Sequence, residues 1–178
     1  MTNGGCTVWL TGLPSSGKTT IAEHLRRRLE ADGRAVELLD GDEIRKYFSA
    51  GVGFSREDRT LHLQRVAHLC ALLTKHGVAV IASFVSPYRE NRDYVRRLIG
   101  ERFLEVYVDT SLEECIRRDV KGLYKKAIAG EVRQFTGISD PYEPPFNPEV
   151  VVKTLDEPAD AAAQRILETM DGRRLVSE

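Results

Sequence analysis

The chain has 178 residues and a formal net charge of −1, because 26 Lys and Arg side chains oppose 27 Asp and Glu side chains. This balance gives no broad basic surface, so we expect no nucleic acid partner held by bulk electrostatics. A composition of 42% hydrophobic and 30% charged residues is typical of a globular protein, and we expect residues 1–178 to form one domain. Three widely spaced cysteines and no long apolar run predict a cytoplasmic protein with no membrane partner.

Five short apolar runs alternate with helical patterns along the chain. The runs cover 6–11, 35–39, 78–85, 103–108 and 150–152, and helical patterns occupy 18–29, 55–75, a segment from Ser111, and 159–170. Runs that are apolar throughout are typical of strands buried on both faces. The alternation therefore predicts an α/β fold, a doubly wound parallel sheet of about five strands with flanking helices.

Residues 117–148 interrupt this alternation between the fourth and fifth strands. Their first half is basic, and their second half contains four of the seven prolines, which predicts a turn-rich segment. Because long excursions inside compact domains commonly close over a ligand, we expect a basic lid at approximately 117–148. The alternative is a solvated helix followed by a surface loop.

Residues 12–19, GLPSSGKT, match the pattern G-x-x-x-x-G-K-[ST] between the first strand and the first helix. In such a P-loop the backbone N–H groups and the helix N-terminus hold phosphates, the lysine reaches the β- and γ-phosphates, and the hydroxyl binds Mg²⁺. We therefore predict ATP and Mg²⁺ as cofactors, with a catalytic Lys18 and Thr19 as a metal ligand. The predicted ATP-binding residues of this segment are Gly12, Leu13, Pro14, Ser15, Ser16, Gly17, Lys18, Thr19 and Thr20.

Two carboxylates, Asp40 and Asp42, stand where the second strand ends, and no N-K-x-D guanine signature follows them. Ligands bind at the carboxyl ends of strands in such sheets, so Asp42 is a candidate to orient or deprotonate an acceptor hydroxyl and to help hold Mg²⁺. The alternative is that these carboxylates only form a turn and cap a helix. Asp109, at the end of the fourth strand, has the position of a Walker B metal ligand, but a capping role is favoured.

The helical pattern from Ser55 to Lys75 places Arg59 near the middle of its apolar stripe and His62 at the margin. An arginine there is poorly explained as a solvated charge, and its guanidinium suits a phosphate or sulfate. Arg45 is expected to face the same place. Phe54 either offers a flat face to a base or packs in the core.

Together these motifs resemble the adenylyl-sulfate kinase family, whose members phosphorylate adenosine 5′-phosphosulfate at its 3′-hydroxyl. The matching segments span nearly the whole chain: 12–19, 39–45 (LDGDEIR), 53–59 (GFSREDR), 85–89 (VSPYR), 118–127 (RDVKGLYKKA) and 135–145 (FTGISDPYEPP). The resemblance implies a P-loop kinase fold and usually a homodimer. It also implies phosphoryl transfer from ATP to give 3′-phosphoadenosine 5′-phosphosulfate, in sulfate assimilation.

The resemblance further implies roles for individual residues. Asp42 serves as base or Mg²⁺ organiser, Phe135 closes over the base opposite Phe54, and the lid from Arg118 onward covers ATP. Ser86 matches the serine that the family describes as a phosphoserine intermediate, although direct in-line transfer requires no covalent step and favours a contact to the acceptor. The implied substrate-binding set is Asp42, Arg45, Phe54, Arg59, His62, Val85, Ser86, Lys121 and Phe135, and the catalytic set is Lys18, Asp42 and Ser86.

One stretch departs from the family pattern. Where the family reads D-R-x-x-N-I-R-R from Asp58, this chain has His62 and Gln64 in place of the asparagine and the first arginine that follows it. Histidine can still hydrogen-bond a ribose or a sulfate, so a tolerated exchange is the favoured interpretation. The alternatives are a kinase of another small nucleotide anhydride, such as a nucleoside diphosphoramidate, and a nucleotide-binding regulatory module without turnover.

Overall fold

The computed structural model describes residues 4–173 and residue 175. Strands and helices alternate along most of this range. In chain order the elements are β1 (Cys6–Thr11), α1 (Lys18–Ala31), β2 (Val36–Asp40), α2 (Gly41–Phe48), α3 (Arg56–Lys75), β3 (Ala79–Ser83), α4 (Arg89–Ile99), a 3₁₀ turn (Gly100–Arg102), β4 (Phe103–Val108), α5 (Leu112–Arg118), α6 (Leu123–Ile128), β5 (Val150–Val152) and α7 (Ala159–Gly172).

The five strands form one sheet in the order β2-β3-β1-β4-β5, and every neighbouring pair is parallel. In the central strand, Val8 pairs with Ile81 of β3 on one side and with Leu104 of β4 on the other. Because all strands run the same way, their carboxyl ends meet at one edge, where a doubly wound sheet binds its ligand. The predicted α/β fold with a five-stranded parallel sheet is confirmed.

The two faces of the sheet pack against different helices, as the continuous apolar runs predict. Val8 and Leu10 of β1 belong to a core with residues of α1 and α7, whereas Trp9 between them lies among residues of α3 on the opposite face. All three side chains are 0 to 1% exposed. Burying a side chain of this kind contributes about 1.5 to 3 kcal/mol, so the central strand anchors the sheet from both sides.

Three helices were not predicted from the sequence: α2, α4 and α6. Helix α2 has eight residues and none of them is fully buried, so its short apolar stripe of Ile44, Tyr47 and Phe48 does not stand out in the sequence. In α4 the residues buried at the first turns are Asn91 and Arg92, which a hydrophobic pattern does not detect. The third strand is also shorter than the apolar run, because the chain leaves the sheet after Ser83 and Ser86 has a φ of +40°.

The segment 117–148 contains the end of α5, all of α6, and a turn-rich stretch that includes a bridge between Thr136 and Asp140. Its apolar residues Tyr124, Ala127 and Phe135 form a small core together with Cys115 of α5. No helix within the described residues is long and apolar enough to cross a membrane.

Candidate active site

The P-loop connects the carboxyl end of β1 to the start of α1. Gly12 has a φ of +154°, and a Cβ atom there would lie 2.6 Å from the carbonyl oxygen of Val108, so only glycine fits. Gly17, with a φ of +106°, precedes the 14-residue α1, and no described side chain caps this helix. The first N–H groups of α1 therefore remain available to an anion, supported by the helix dipole.

Lys18 is buried within this loop and is only 8% exposed. Its ammonium donates hydrogen bonds to the carbonyl oxygens of Gly12 at 2.9 Å and Leu13 at 2.7 Å, and to Oγ of Ser16 at 3.3 Å. Burial lowers the pKa of Lys18 to about 8; Lys121 lowers it further, whereas Cys115, Asp40 and Asp42 oppose the shift with smaller effects. The lysine is thus held in the loop by neutral oxygens that a phosphate can replace.

Asp40 and Asp42 lie close to the P-loop. Asp40 caps α2, because its Oδ1 accepts a hydrogen bond from the backbone N–H of Asp42 at 2.9 Å. Its other oxygen accepts from the Thr19 hydroxyl at 3.4 Å. The helix cap considered from the sequence therefore exists, but Asp40 makes it, which leaves the Asp42 carboxylate free of capping. The Asp42 side chain instead forms an ion pair with Lys121 of the lid segment.

The first half of the lid segment lies against the P-loop. Arg118 donates to the carbonyl oxygen of Ser16 at 3.2 Å and to the carboxylate of Glu114 at 2.7 Å. The Tyr124 hydroxyl donates to the carbonyl oxygen of Pro14 at 3.0 Å. The structure thus brings Arg118, predicted from the family resemblance, to the loop that is predicted to hold ATP.

Phe54 lies at the centre of a second cluster, which is basic and partly aromatic. The guanidinium carbons of Arg45 and Arg59 lie 4.4 Å and 5.7 Å from the centre of its ring. Phe54 is 53% exposed, which excludes the core-packing alternative. Arg45 also donates to the carbonyl oxygens of Val52 and Gly53. Burial and the nearby Arg59 lower the pKa of Arg45, as expected where two cations converge.

Arg59 is 8% exposed, as its place on the apolar stripe predicts, but its partners differ from the expected anion. Its guanidinium donates to the carbonyl oxygen of Phe54 at 2.9 Å, to the Thr136 hydroxyl at 3.1 Å, and to the carbonyl oxygen of Gln134. The carboxylate of Asp140 lies 3.8 Å away. The lid segment thus supplies acceptors for this guanidinium, and the binding of a phosphate or sulfate by Arg59 stays a prediction.

His62 is also buried, with 4% exposure. Its Nδ1 shares a hydrogen bond with the Ser49 hydroxyl at 2.7 Å, and its ring centre lies 5.8 Å from that of Phe84. Burial, followed by the charges of Arg45 and Arg65, lowers the pKa of His62 to about 4. The imidazole is therefore neutral near pH 7.

Ser86 and Val85 lie in the loop after β3, underneath the P-loop. Ser86 is 3% exposed, and its Oγ accepts from the indole N–H of Trp9 at 3.1 Å and bonds the Thr11 hydroxyl at 3.0 Å. The carbonyl oxygen of Val85 accepts from the same Thr11 hydroxyl at 2.8 Å. Phosphorylation of Ser86 would have to break these buried hydrogen bonds, so the structure gives no support to a covalent intermediate.

Two further expectations concern Phe135 and Asp109. Phe135 is 9% exposed and packs edge-on against Tyr124, with ring centres 5.0 Å apart, so it lies in the core of the lid segment. No described aromatic pair joins it to Phe54. The capping role favoured for Asp109 is wrong, because Ser111 caps α5 by accepting from the backbone N–H of Glu114 at 3.3 Å.

Sequence reasoning missed one polar group, Arg92 of α4. It is 2% exposed and contacts the loop that contains Ser86. The signal in the sequence was weak, because α4 contains several arginines and only the fold shows which of them faces the interior. The part of the chain that the structure describes holds no group of three or more His, Cys, Asp or Glu side chains able to bind a metal ion.

Comparison with known proteins identifies the family. The family model for adenylylsulphate kinase matches residues 4–153. A probable adenylyl-sulfate kinase of Aeropyrum pernix is 58% identical over 153 residues, which is 84% of each chain. An adenylyl-sulfate kinase of a Synechococcus species is 48% identical over 176 residues, covering 99% of this chain and 100% of that one.

Solved structures agree with the sequence matches. The adenylyl-sulfate kinase of Mycobacterium tuberculosis, in complex with AMPPNP and adenosine 5′-phosphosulfate, superposes with a TM-score of 0.91 at 40% identity, covering 95% of this chain and 99% of that one. A shikimate kinase of Acinetobacter baumannii, at 18% identity and a TM-score of 0.54, shares the fold. The chain belongs to the adenylylsulphate kinase family.

Proposed function

We propose that this chain transfers the γ-phosphoryl group of ATP to the 3′-hydroxyl of adenosine 5′-phosphosulfate, with Mg²⁺ as cofactor. Family membership confirms the enzyme class, a P-loop kinase, and makes a regulatory module without turnover the weaker alternative. The product is 3′-phosphoadenosine 5′-phosphosulfate, which assigns the reaction to sulfate assimilation.

The observation that carries the acceptor assignment is the exposed Phe54 ring between Arg45 and Arg59. An aromatic face suits a purine base, and guanidinium groups suit a sulfate or phosphate. The solved relative that binds AMPPNP and adenosine 5′-phosphosulfate supports this assignment. We therefore place the acceptor at this cluster and ATP at the P-loop.

The contacts of the chain link these two places. Thr19 of the P-loop contacts Asp40, Asp40 caps the helix that contains Asp42, and Asp42 pairs with Lys121 of the lid segment. Asp42 thus stands between the P-loop and the lid, where an acceptor hydroxyl must meet the γ-phosphate. In this position its carboxylate accepts the hydroxyl proton or orients the hydroxyl. When the acceptor enters, Lys121 exchanges Asp42 for the anionic nucleotide.

The residues near the P-loop fit Mg²⁺. The Thr19 hydroxyl and the carboxylates of Asp40 and Asp42 are hard oxygen donors, and Mg²⁺ in kinases takes only one or two protein ligands beside phosphates and water. When bound, the ion neutralises charge on the β- and γ-phosphate oxygens. Thr19 and Asp42 are the proposed ligands, and Asp40 holds both in place.

The assembly and location are further proposals. The exposed aromatic side chains of Tyr47 and Phe48 on α2, at 85% and 48%, are compatible with a homodimer. A related kinase of Thiobacillus denitrificans is hexameric, at 28% identity over a region that covers 30% of that chain. Light scattering on the purified protein distinguishes the two states. The free, buried thiols of Cys6, Cys70 and Cys115 are compatible with a cytoplasmic enzyme.

The experiment that tests the function is a coupled assay of ADP release over a panel of acceptors. The panel contains adenosine 5′-phosphosulfate, adenosine 5′-phosphate and a nucleoside diphosphoramidate, and phosphorus NMR locates the new phosphate. We expect a strong preference for the sulfated acceptor and a product phosphorylated at the 3′-oxygen. A preference for the phosphoramidate would select the alternative kinase, and ADP release from no acceptor in the panel would refute the proposal.

A further inference from the structure

Arg92 of α4 joins three segments that are far apart in the sequence. Its Nε donates to the carboxylate of Glu105 on β4 at 3.0 Å. One terminal nitrogen donates to the carbonyl oxygen of Ser86, and the other to the carbonyl oxygen of Glu143, each at 2.5 Å. The planar guanidinium is suited to this task because its donors point in fixed directions.

The segments held by Arg92 also meet at Thr11, the last residue before the P-loop. The Thr11 hydroxyl contacts the carbonyl oxygen of Val85 at 2.8 Å and Oγ of Ser86 at 3.0 Å. It also contacts the hydroxyl of Tyr142 at 3.0 Å. Residues 85–86 after β3 and residues 142–143 of the lid segment therefore pack on the residue that leads into the P-loop.

The charge of Arg92 is satisfied within the protein. The side chains of Arg92 and Glu105 are 2% and 8% exposed, and the attraction between them compensates for burial only if the remaining donors are hydrogen-bonded. The two backbone carbonyl oxygens meet that condition. These oxygens belong to residues without regular secondary structure. One backbone hydrogen bond joins the two segments directly, from the N–H of Glu143 to the carbonyl oxygen of Pro87 at 2.8 Å. Arg92 adds the contacts that tie both segments to α4 and, through Glu105, to β4.

We propose that Arg92 is a positioning residue for the acceptor nucleotide: through the carbonyl oxygens of Ser86 and Glu143 it sets the loop after β3 and the end of the lid relative to the P-loop. The inference rests on the proposed function. It predicts that Arg92 affects the acceptor more than ATP, because the P-loop keeps its own contacts to Lys18 and to the lid residues Arg118 and Tyr124.

The test compares Arg92→Lys with the matched control Arg96→Lys. Lysine at position 92 keeps the positive charge beside Glu105, but one ammonium cannot reach three separated acceptors. Arg96 lies one turn further along α4 and also contacts Glu105, at 3.2 Å, yet its other partner is Glu149 and it contacts neither loop carbonyl. The control therefore perturbs the same carboxylate without releasing the two segments.

Steady-state kinetics are measured for both variants with varied ATP and varied adenosine 5′-phosphosulfate. For Arg92→Lys we expect at least a tenfold rise in the acceptor KM, a lower kcat, and an ATP KM within about threefold of the unmodified chain. We expect Arg96→Lys to change all three parameters by less than about threefold. Equal effects of the two variants, or equal effects of Arg92→Lys on both substrates, would overturn the inference.

Two further measurements keep the outcome decisive. If Arg92→Lys does not fold, Tyr142→Phe is measured instead, because it removes only the hydroxyl contact between the lid and Thr11. We expect the same acceptor-selective rise in KM for this variant. An unchanged acceptor KM would overturn the inference. If the unmodified chain prefers another anhydride, the proposed function fails on its own. The comparison is then made with that acceptor, and the same outcomes decide the role of Arg92.

Discussion

The substitution Lys18→Met tests how the P-loop tolerates a buried charge. Burial lowers the pKa of Lys18 from 10.5 to about 8, and this shift corresponds to an unfavourable contribution of about 3 kcal/mol to folding when the lysine is charged. Methionine has a similar length and carries no charge, so it removes this cost. It also removes hydrogen bonds to Gly12, Leu13 and Ser16, each contributing about 1 kcal/mol, so the two effects nearly cancel at pH 7.

The pH dependence separates the two effects because only the charge titrates. Below about pH 8 lysine is protonated in both the folded and the unfolded chain, so the full cost is present. Between about pH 8 and 10.5 the unfolded chain still binds the proton that the folded chain has released, and the cost disappears as the pH rises. The unmodified chain should therefore gain about 3 kcal/mol of stability relative to Lys18→Met across this interval.

Urea unfolding of both proteins at pH 7 and at pH 10.5 provides the measurement, and the difference between the proteins removes the titration of all other groups. Lys18→Met should also lose nearly all turnover, because no cation then faces the γ-phosphate. A stability difference that stays constant between the two pH values would refute the reasoning about burial. A folded Lys18→Met protein with ordinary ADP release would refute the catalytic role of the lysine.

Three more substitutions test the rest of the site. Asp42→Asn should lower kcat by a factor of about 10² to 10⁴, with little change in the ATP affinity measured by calorimetry. If kcat and ATP affinity fall by the same factor, the role of the carboxylate is structural. Arg59→Ala should raise the acceptor KM about ten- to a hundredfold in the coupled assay, since a charge-assisted hydrogen bond contributes about 1.5 to 3 kcal/mol, and an equal rise for ATP would contradict an acceptor role. Between pH 6.5 and about 4 only the unfolded chain protonates His62, so the unmodified chain should lose about 3 kcal/mol of stability as the pH falls through this interval, and His62→Asn should not. If denaturant unfolding shows the same loss of stability at acid pH in both proteins, the burial of His62 as a neutral ring is contradicted.

The sequence predicted the sheet well because continuous apolar runs report burial on both faces. It also placed Arg59 inside the molecule, since its position relative to the apolar residues of α3 determines which face it occupies. Helices α2 and α4 were missed although apolar residues recur in them at helical spacing: Ile44, Tyr47 and Phe48 in α2, and Tyr94, Val95 and Leu98 in α4. Both helices are short and rich in charged residues, so these positions do not stand out as an apolar pattern.

The partners of the charged residues could not be predicted in the same way. The periodicity of α3 shows that Arg59 is buried. It does not show that the carbonyl oxygen of Gln134 and the hydroxyl of Thr136 accept hydrogen bonds from its guanidinium. These residues lie 75 and 77 positions further along the chain. The same limit applies to His62, because its partner Ser49 belongs to the turn after a helix that the sequence did not reveal.

The contacts of the basic residues indicate how the site is prepared for anions. Lys18 is held by P-loop oxygens, Arg59 by lid oxygens, Lys121 by Asp42, and Arg118 by oxygens of the P-loop and α5. We therefore expect ligand binding at the proposed site to be an exchange of partners, with a free energy set by the difference between the hydrogen bond to a charged phosphate or sulfate oxygen and the hydrogen bond to the protein oxygen that it replaces. A neutral carbonyl is the weaker partner by about a factor of two, so an anion displaces it. The side chains of Lys121 and Asp42 are 60% and 63% exposed, so we expect their ion pair to be broken at a cost of about 0 to 1 kcal/mol, which leaves Lys121 available to an anionic acceptor.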